Sequence, residues 1–429
     1  MNQTLTRVAI IGGNRIPFAR SNGAYANASN QDMLTAALNG LVNRYQLENE
    51  RLGDVVAGAV IKHSRDFNLT REAVLNTALS PETPCYDIQQ ACATGLEAAI
   101  LVANKIALGQ IDAGIAGGSD TTSDAPIGVN EELRHILLAL NRARSLGERL
   151  KLVAQIRPRH LIPLIPVNGE PRTGKSMGEH AEITAKHWEI ARDEQDQMAF
   201  NSHQNLNKAY LSGFFDDLVS PFQGLERDNT LRPETSLEKL ASLKPVFDRD
   251  GGTLTAANSS NLTDGASCVL LASEAWAAER NLPVQAYLTH CESAAVDFFG
   301  KTDNDREGLL MAPTYAVPRM LQKAGLTLQD FDFYEIHEAF AAQVLSTLRA
   351  WEDPIFCQEK LGLSAPLGAI DKNKLNVKGS SLATGHPFAA TGARIIATLA
   401  KTLAENGGGR GLISICAAGG LGVTAILER

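Results

Sequence analysis

Residues 89–118 read QQACATGLEAAILVANKIALGQIDAGIAGG. A short extended approach reaches Cys92, a run rich in Ala and Leu follows, and small residues then lead to Gly117-Gly118. An apolar run of that length fits a buried helix, and the shorter run closed by glycines fits a buried strand. The spacing predicts an extended segment over 85–89, a helix over 92–109 and a strand over 112–118. Residues 381–420, SLATGHPFAATGARIIATLAKTLAENGGGRGLISICAAGG, repeat the order. There a glycine-rich loop over 381–392 precedes a helix over 394–406, a strand over 411–416 and a second Gly-Gly.

Outward from these two stretches the rhythm continues. Strands are predicted over 8–11, 54–61, 284–292 and 331–336. Helices are predicted over 31–46, where Leu34, Leu38, Leu41 and Val42 recur at helical spacing, over 70–77, over 316–324 and from Glu338. Strands alternating with helices give an α/β fold, arranged as two similar halves of low mutual identity. The stretch 124–247 breaks the pattern. It holds RHILLALNRARSLGERLKLVAQIRPRH (134–160), a proline-broken apolar run (161–167) and a helical pair over 176–210, with Asp193 expected as cap or first-turn acid. The expected domains are 1–123 plus 248–277 as the N-terminal half, 124–247 as an inserted loop domain and 278–429 as the C-terminal half.

The 429 residues exceed one ordinary core. A net charge of −8 argues against nucleic acid as a partner. Any anionic ligand must therefore meet a local basic patch, and residues 131–175 supply one, with nine Lys/Arg against four Asp/Glu. The six cysteines form no CxxC pair, and no His cluster has zinc spacing, so neither a disulfide framework nor a metal site is expected. Cys85, Cys268, Cys291 and Cys357 read as small buried hydrophobes. The sequence MNQTLTRVAIIGG lacks the features of a signal peptide, and no apolar run reaches about 18 residues. A reducing cytoplasm is the expected location.

Four constellations carry chemistry. Cys92 stands between small neighbours where a helix should begin, and a helix N-terminus lowers a thiol pKa and offers N–H donors. The competing reading is a buried helical cysteine. Gly385-His386-Pro387 holds a histidine rigidly enough to act as a base, against the alternative of a surface-loop histidine. Cys416 ends a strand and faces a glycine turn whose N–H groups could hold an oxyanion. His337-Glu338-Ala339-Phe340 sits at a strand-to-helix junction, where Glu338 could simply cap the helix and His337 could be a core histidine. Each lies at a strand end, where α/β sheets place ligands. Together they supply a nucleophile, its base, a second acid/base and oxyanion donors, as thiol-acyl transfer requires.

The stretches QQACATGLEA, GGSDTTSDAP, SMGEHAE, RDEQDQMA, LTAANSSNLTDGAS, HEAFAAQ, NVKGSSLATGHPFAATGAR and CAAGGLGVT, in this order, resemble the thiolase family over essentially the whole chain. The resemblance implies a duplicated, layered α/β/α/β/α fold with an inserted loop domain. It implies that Cys92 is the nucleophile that becomes acylated and that His386 activates it and lines the oxyanion hole for the thioester carbonyl. Cys416 would be the second acid/base, and the N–H groups of Cys92 and Ala418 the second oxyanion hole. Ser260, Met177, Arg232 and Phe340 match positions near substrate or coenzyme A. No cofactor and no metal are implied; coenzyme A is a substrate.

Many thiolases carry Asn where this chain has His337, and that Asn holds a catalytic water. A histidine there resembles the thiolase subunits of multienzyme fatty acid β-oxidation complexes. That likeness implies cleavage of 3-ketoacyl-CoA by CoA, a homodimer core, a hydratase/3-hydroxyacyl-CoA dehydrogenase alpha subunit as partner, and peripheral membrane contact near the basic loop. The rivals are a biosynthetic acetoacetyl-CoA thiolase, which shares all four motifs; a ketoacyl synthase, which has histidine where Cys416 stands; and a non-catalytic acyl-CoA carrier or scaffold.

Overall fold

A computed structural model describes residues 5–300 and 307–429. Its ten strands are β1 (Val8–Arg15), β2 (Ala19–Arg20), β3 (Asp54–Ala57), β4 (Cys85–Asp87), β5 (Ala113–Asp120), β6 (Thr263–Ser273), β7 (Ala286–Ala295), β8 (Phe333–Ile336), β9 (Arg410–Ala417) and β10 (Leu421–Glu428). They run in the order β4-β3-β5-β6-β1-β7-β10-β9-β8, with β2 paired to β6.

That order is a duplication read about its centre. From β1 outward, β6 is antiparallel, β5 is antiparallel to β6, and β3 is parallel to β5. From β7 outward, β10, β9 and β8 repeat the same three relations. The two copies meet where β1 and β7 pair antiparallel. Even β4 has a counterpart, since Tyr334 of β8 bridges in parallel to Leu375.

Alternation along β1 sorts its side chains into two cores. Ala9 and Ile11 pack with Leu34, Leu38 and Leu41 of helix Asn30–Tyr45. Val8 and Ile10 face helices Thr94–Ala107 and Thr391–Glu405. These two helices form a middle layer that touches both sheet halves. Helices Pro313–Ala324 and Ala341–Glu352 cover the far face of the second half. The layers are therefore helix, sheet, helix, sheet, helix.

In the middle layer the two helices cross at glycines. A Cβ on Gly392 would lie 2.1 Å from the Leu96 nitrogen, and one on Gly95 would lie 2.7 Å from the Ala389 carbonyl oxygen. Only glycine lets the backbones approach this closely. This crossing carries Cys92, from the first half, to His386, from the second.

Several local expectations change. The strand over 54–61 ends at Ala57, because the Val60 and Ile61 N–H groups turn away to the Asp120 carboxylate at 2.8–3.0 Å. The helix over 92–109 begins at Thr94, because Ala91 takes a left-handed φ of 47° just ahead of Cys92. The helix expected from Glu338 begins at Ala341. Of the two places open to Asp193 the structure takes the second: it is a first-turn acid of helix Arg192–Leu211, whose cap is Ala191. The loop over 381–392 contains a helical turn, Ser381–Thr384.

The segment between the halves is fastened by buried charge. Arg15 makes a two-pronged pair with Asp228 at 2.6 and 2.8 Å, and Tyr210 donates to the same carboxylate at 2.8 Å. Helices Glu131–Arg142 and Leu146–Val153 are different: along them only Ile136 is buried. Among the described residues, no helix is long and apolar enough to cross a membrane.

Candidate active site

Cys92 stands on a tight elbow between β4 and helix Thr94–Ala107. Thr94 Oγ1 donates to the Ala91 carbonyl at 2.7 Å and accepts from the Gln90 N–H at 2.9 Å, which holds the left-handed Ala91 in place. The partly accessible thiol that results lies 3.1 Å from His386 Nε2. Gly385 precedes that histidine at φ 98°, and a Cβ there would meet Thr263 Cγ2 at 2.5 Å. The His386 N–H donates to Thr263 Oγ1 at 2.8 Å, and His386 Nδ1 lies 2.6 Å from Thr391 Oγ1. The imidazole is thus fixed by backbone and by ring, with Nε2 facing the sulfur.

Burial decides the protonation states. Desolvation pushes the Cys92 thiol up to about 12, although the N–H groups of Ala418 and of Cys92 itself pull the other way. The expectation that the helix start would lower this thiol is therefore corrected. Cys92 precedes the helix by two residues, and the apolar surroundings outweigh the donors. Desolvation, then the nearby Arg394, lowers the His386 imidazole to about 3. The resting pair is a neutral thiol beside a neutral base, and the proton moves as the sulfur attacks.

The His337 and His386 rings are in contact, with centroids 4.2 Å apart and planes tilted by 50°. Its Nδ1 lies 2.9 Å from Ser381 Oγ, and its Nε2 is buried without a protein partner. Burial, then His386 and Arg394, holds this ring well below the usual histidine range. One atom each of Cys92, His337 and His386 lie within 4.8 Å of one another.

Cys416 is buried at the end of β9, in an apolar cluster that includes Phe340 and is flanked by Met177. Burial pushes its thiol up, and the neighbouring Cys92 adds to the effect. The turn beyond it uses left-handed Gly419 and Gly420, at φ 81° and 74°, and the preceding Ala418 N–H points at Cys92. The structure thus gathers Cys92, His386, His337, Cys416 and Ala418, with Met177 and Phe340 lining the Cys416 side. Ser260 donates its N–H to the Ala339 carbonyl at 3.0 Å, beside the same motif. The Arg232 guanidinium donates to the Asn229 and Leu231 carbonyls.

Residues with no role foreseen in the sequence hold this arrangement. Glu338 does not cap the helix that follows it, Ala341–Glu352. Its carboxylate accepts from Ser202 Oγ at 2.7 Å, Asn376 Nδ2 at 2.8 Å and the Leu382 N–H at 3.2 Å, tying helix Arg192–Leu211 to the His386 loop. Asp120, buried at the end of β5, accepts from the Ala389 N–H at 2.9 Å and anchors the turn after His386. Thr391 and Arg394 lie inside the quoted glycine-rich stretch, so the loop that signals His386 also contains its supports. A cavity of about 720 Å³ touches Glu338 and is lined by Asp196, Met198, Asn205, Lys372 and Asn376, but reaches none of Cys92, His386 and Cys416.

Residues 8–275 match the thiolase N-terminal domain and residues 290–429 the thiolase C-terminal domain. The chain belongs to the thiolase family. It is 41% identical to a 3-ketoacyl-CoA thiolase of Shewanella sp. (strain W3-18-1) over 428 residues, covering 98% of this chain and 97% of that one. A 3-ketoacyl-CoA thiolase of Yersinia pestis (strain Pestoides F) matches to the same extent. Among solved structures, the Bacillus anthracis acetyl-CoA acetyltransferase aligns with a TM-score of 0.80 at 30% identity, covering 99% of each chain. Human mitochondrial 3-ketoacyl-CoA thiolase aligns at 0.79 and 28%, covering 99% of this chain and all of that one. The thiolase fold expected from the motifs is the fold observed.

Proposed function

We propose that this thiolase cleaves 3-ketoacyl-CoA with CoA, giving acetyl-CoA and an acyl-CoA shortened by one acetyl unit, as the last step of fatty acid β-oxidation. The observation that carries the reading is the 3.1 Å contact of Cys92 Sγ with His386 Nε2, beside a second buried thiol. Cys92 Sγ attacks the 3-keto carbon as its proton passes to His386, and the new oxyanion meets the N–H groups of Cys92 and Ala418. The C2–C3 bond breaks, leaving acyl-Cys92 and the acetyl-CoA enolate, whose thioester oxygen faces the two histidines. Cys416 protonates C2. The Cys416 thiolate then takes the CoA thiol proton, CoA sulfur attacks the acyl carbon, and Cys92 leaves and recovers its proton from His386. Two oxyanion sites are needed because one step develops charge on the 3-keto oxygen and the other on the thioester oxygen.

The names of the 3-ketoacyl-CoA thiolases at 41% identity support the degradative direction, as does His337. Thiolysis rates for a chain-length series of 3-ketoacyl-CoA test the reading. Activity on acetoacetyl-CoA alone would favour the biosynthetic rival, and no thiolysis at any length would sink the proposal.

The same reading includes a homodimer core and a hydratase/3-hydroxyacyl-CoA dehydrogenase partner docked on the basic loop, in a cytoplasmic setting. Supporting the dock, Leu146, Leu150, Leu161 and Ile165 are all more than 60% exposed beside Arg142, Arg144 and Arg149. Exposed apolar clusters rimmed by charge mark interaction surfaces. Docking there would pass 3-ketoacyl-CoA directly to Cys92, and its affinity should weaken with salt. Tagged protein should co-purify with the dehydrogenase subunit at low salt, and the triple variant Arg142→Glu, Arg144→Glu, Arg149→Glu should lose it. Wild type without that subunit, a variant that keeps it, or binding to anionic vesicles in place of the subunit would each refute the docking role. Light scattering of purified protein at the mass of one chain would refute the homodimer.

A further inference from the structure

Arg394 has no part in the steps above, yet it lies buried beneath both histidines, in the first turn of helix Thr391–Glu405, where the Glu335 and Glu338 carboxyls act on its charge. Its Nη2 donates to Ser381 Oγ at 2.9 Å, and that hydroxyl in turn lies 2.9 Å from His337 Nδ1.

Counting hydrogens favours one direction for this chain. A guanidinium only donates, so it occupies a lone pair of Ser381 Oγ and leaves the serine its own proton to give. Among the described residues, His337 Nδ1 is the one acceptor within reach of that hydroxyl. With Nδ1 accepting, every hydrogen of the chain is used and the proton of the neutral ring sits on Nε2; an Nδ1–H donating instead would leave the serine hydrogen unused. His337 Nε2 is the atom left buried without a protein partner, and one nitrogen of the same ring lies within 4.8 Å of a Cys92 and a His386 ligand atom. His386 has the same pattern of contacts, but to take the thiol proton it needs its lone pair on Nε2. Its Nε2 faces the Cys92 thiol, and its Nδ1 faces Thr391 Oγ1.

We propose that the Arg394–Ser381 pair sets the tautomer of His337, so that this ring presents an N–H donor to the site while the neighbouring ring of His386 presents a lone pair. Two histidines in contact would otherwise be interchangeable, and a base in both positions would leave the enolate oxygen short of a donor. In the enolate step the C2 proton of acetyl-CoA passes to the Cys416 thiolate, and the electron pair left on C2 delocalises onto the thioester oxygen. His337 Nε2–H stabilises that oxygen; nothing is oxidised or reduced. Ser381 and Arg394 are positioning residues, acting through His337. The inference rests on the thiolase reading above and adds to it the device that assigns the two rings their parts.

The test compares wild type and Ser381→Ala in two half-reactions: exchange of the acetyl-CoA α-protons in heavy water, and acylation of Cys92 by acetyl-CoA, read by mass. Removing an oxyanion donor outright costs about 10²–10³ in rate. A ring free to choose its tautomer retains part of the donor, so exchange should fall roughly 10- to 100-fold. Acylation, which uses the N–H groups of Cys92 and Ala418, should fall far less. Nitrogen-15 NMR of the histidine side chains should find wild-type His337 protonated at Nε2 and the variant ring divided between tautomers. Unchanged exchange in Ser381→Ala, equal loss of both half-reactions, or a wild-type His337 protonated at Nδ1 would overturn the proposal. Wild type that neither acylates nor exchanges would instead overturn the thiolase reading, and the NMR result would still decide the tautomer.

Discussion

The crossing of helices Thr94–Ala107 and Thr391–Glu405 makes a quantitative prediction. In Gly392→Ala the new methyl carbon would lie 2.1 Å from the Leu96 nitrogen and 2.6 Å from the Gly95 carbonyl carbon. Both neighbours are backbone, so no flexible side chain can yield. Ordinary contact begins near 3.4 Å, so the helices must part by roughly 1.3 Å at this point. One helix is entered from the Cys92 elbow, and the other from the His386 loop. A shift of that size is comparable with the slack in a 3.1 Å sulfur–nitrogen contact. Overpacking of this kind costs about 1–3 kcal/mol of stability, and a misplacement of about 1 Å costs on the order of 10²-fold in rate. The assay is the steady-state thiolysis rate beside a denaturant melt, with Gly147→Ala as control, since a Cβ there meets nothing within 4 Å. Gly392→Ala should lose about 100-fold in kcat while remaining folded. Wild-type kcat and stability would refute the claim that this crossing sets the thiol–imidazole distance.

Cys416→Ala should still be acylated at Cys92 by a simple acyl-CoA but should fail to exchange the α-proton of acetyl-CoA; equal loss of both would mean that Cys416 is structural or serves both steps. Because desolvation lowers the His386 imidazole to about 3, the base stays neutral far below its ordinary 6.5. The acid limb of kcat/KM should therefore lie well under pH 6.5, and a limb at 6.5 or higher would contradict the neutral pair. Asp228→Asn leaves Arg15 buried and without its counter-charge, which should cost about 3–5 kcal/mol in denaturant melts; a loss under about 1 kcal/mol would mean the pair is solvated.

The parts of the fold legible in the sequence were those with a one-sided or punctuated pattern. Helix Asn30–Tyr45 buries a single stripe through Leu34, Leu38 and Leu41, so its period is visible. Strands β6 and β10 show no alternation, β6 being buried along its whole length and β10 at all but its end residues, and unlike the equally buried β1 and β5 neither contains a Gly-Gly pair to mark it. The strand after Asp54 was drawn too long because Val60 and Ile61 are apolar, yet their N–H groups bond to Asp120 from another strand. The nucleophile and its base could be found because glycines and small residues mark the turns that hold them. Their protonation could not, since the desolvation that sets it comes from both halves of the chain. The link from Arg394 through Ser381 to His337 was equally invisible, because it depends on 44 residues of separation closing to 2.9 Å.

The central claim is that Cys92 carries the acyl group. Purified protein incubated with acyl-CoA, quenched in acid and digested, should show the acyl mass on the peptide containing Cys92, and Cys92→Ser should show none. The acyl mass on the Cys416 peptide, or on no cysteine at all while thiolysis proceeds, would contradict the account.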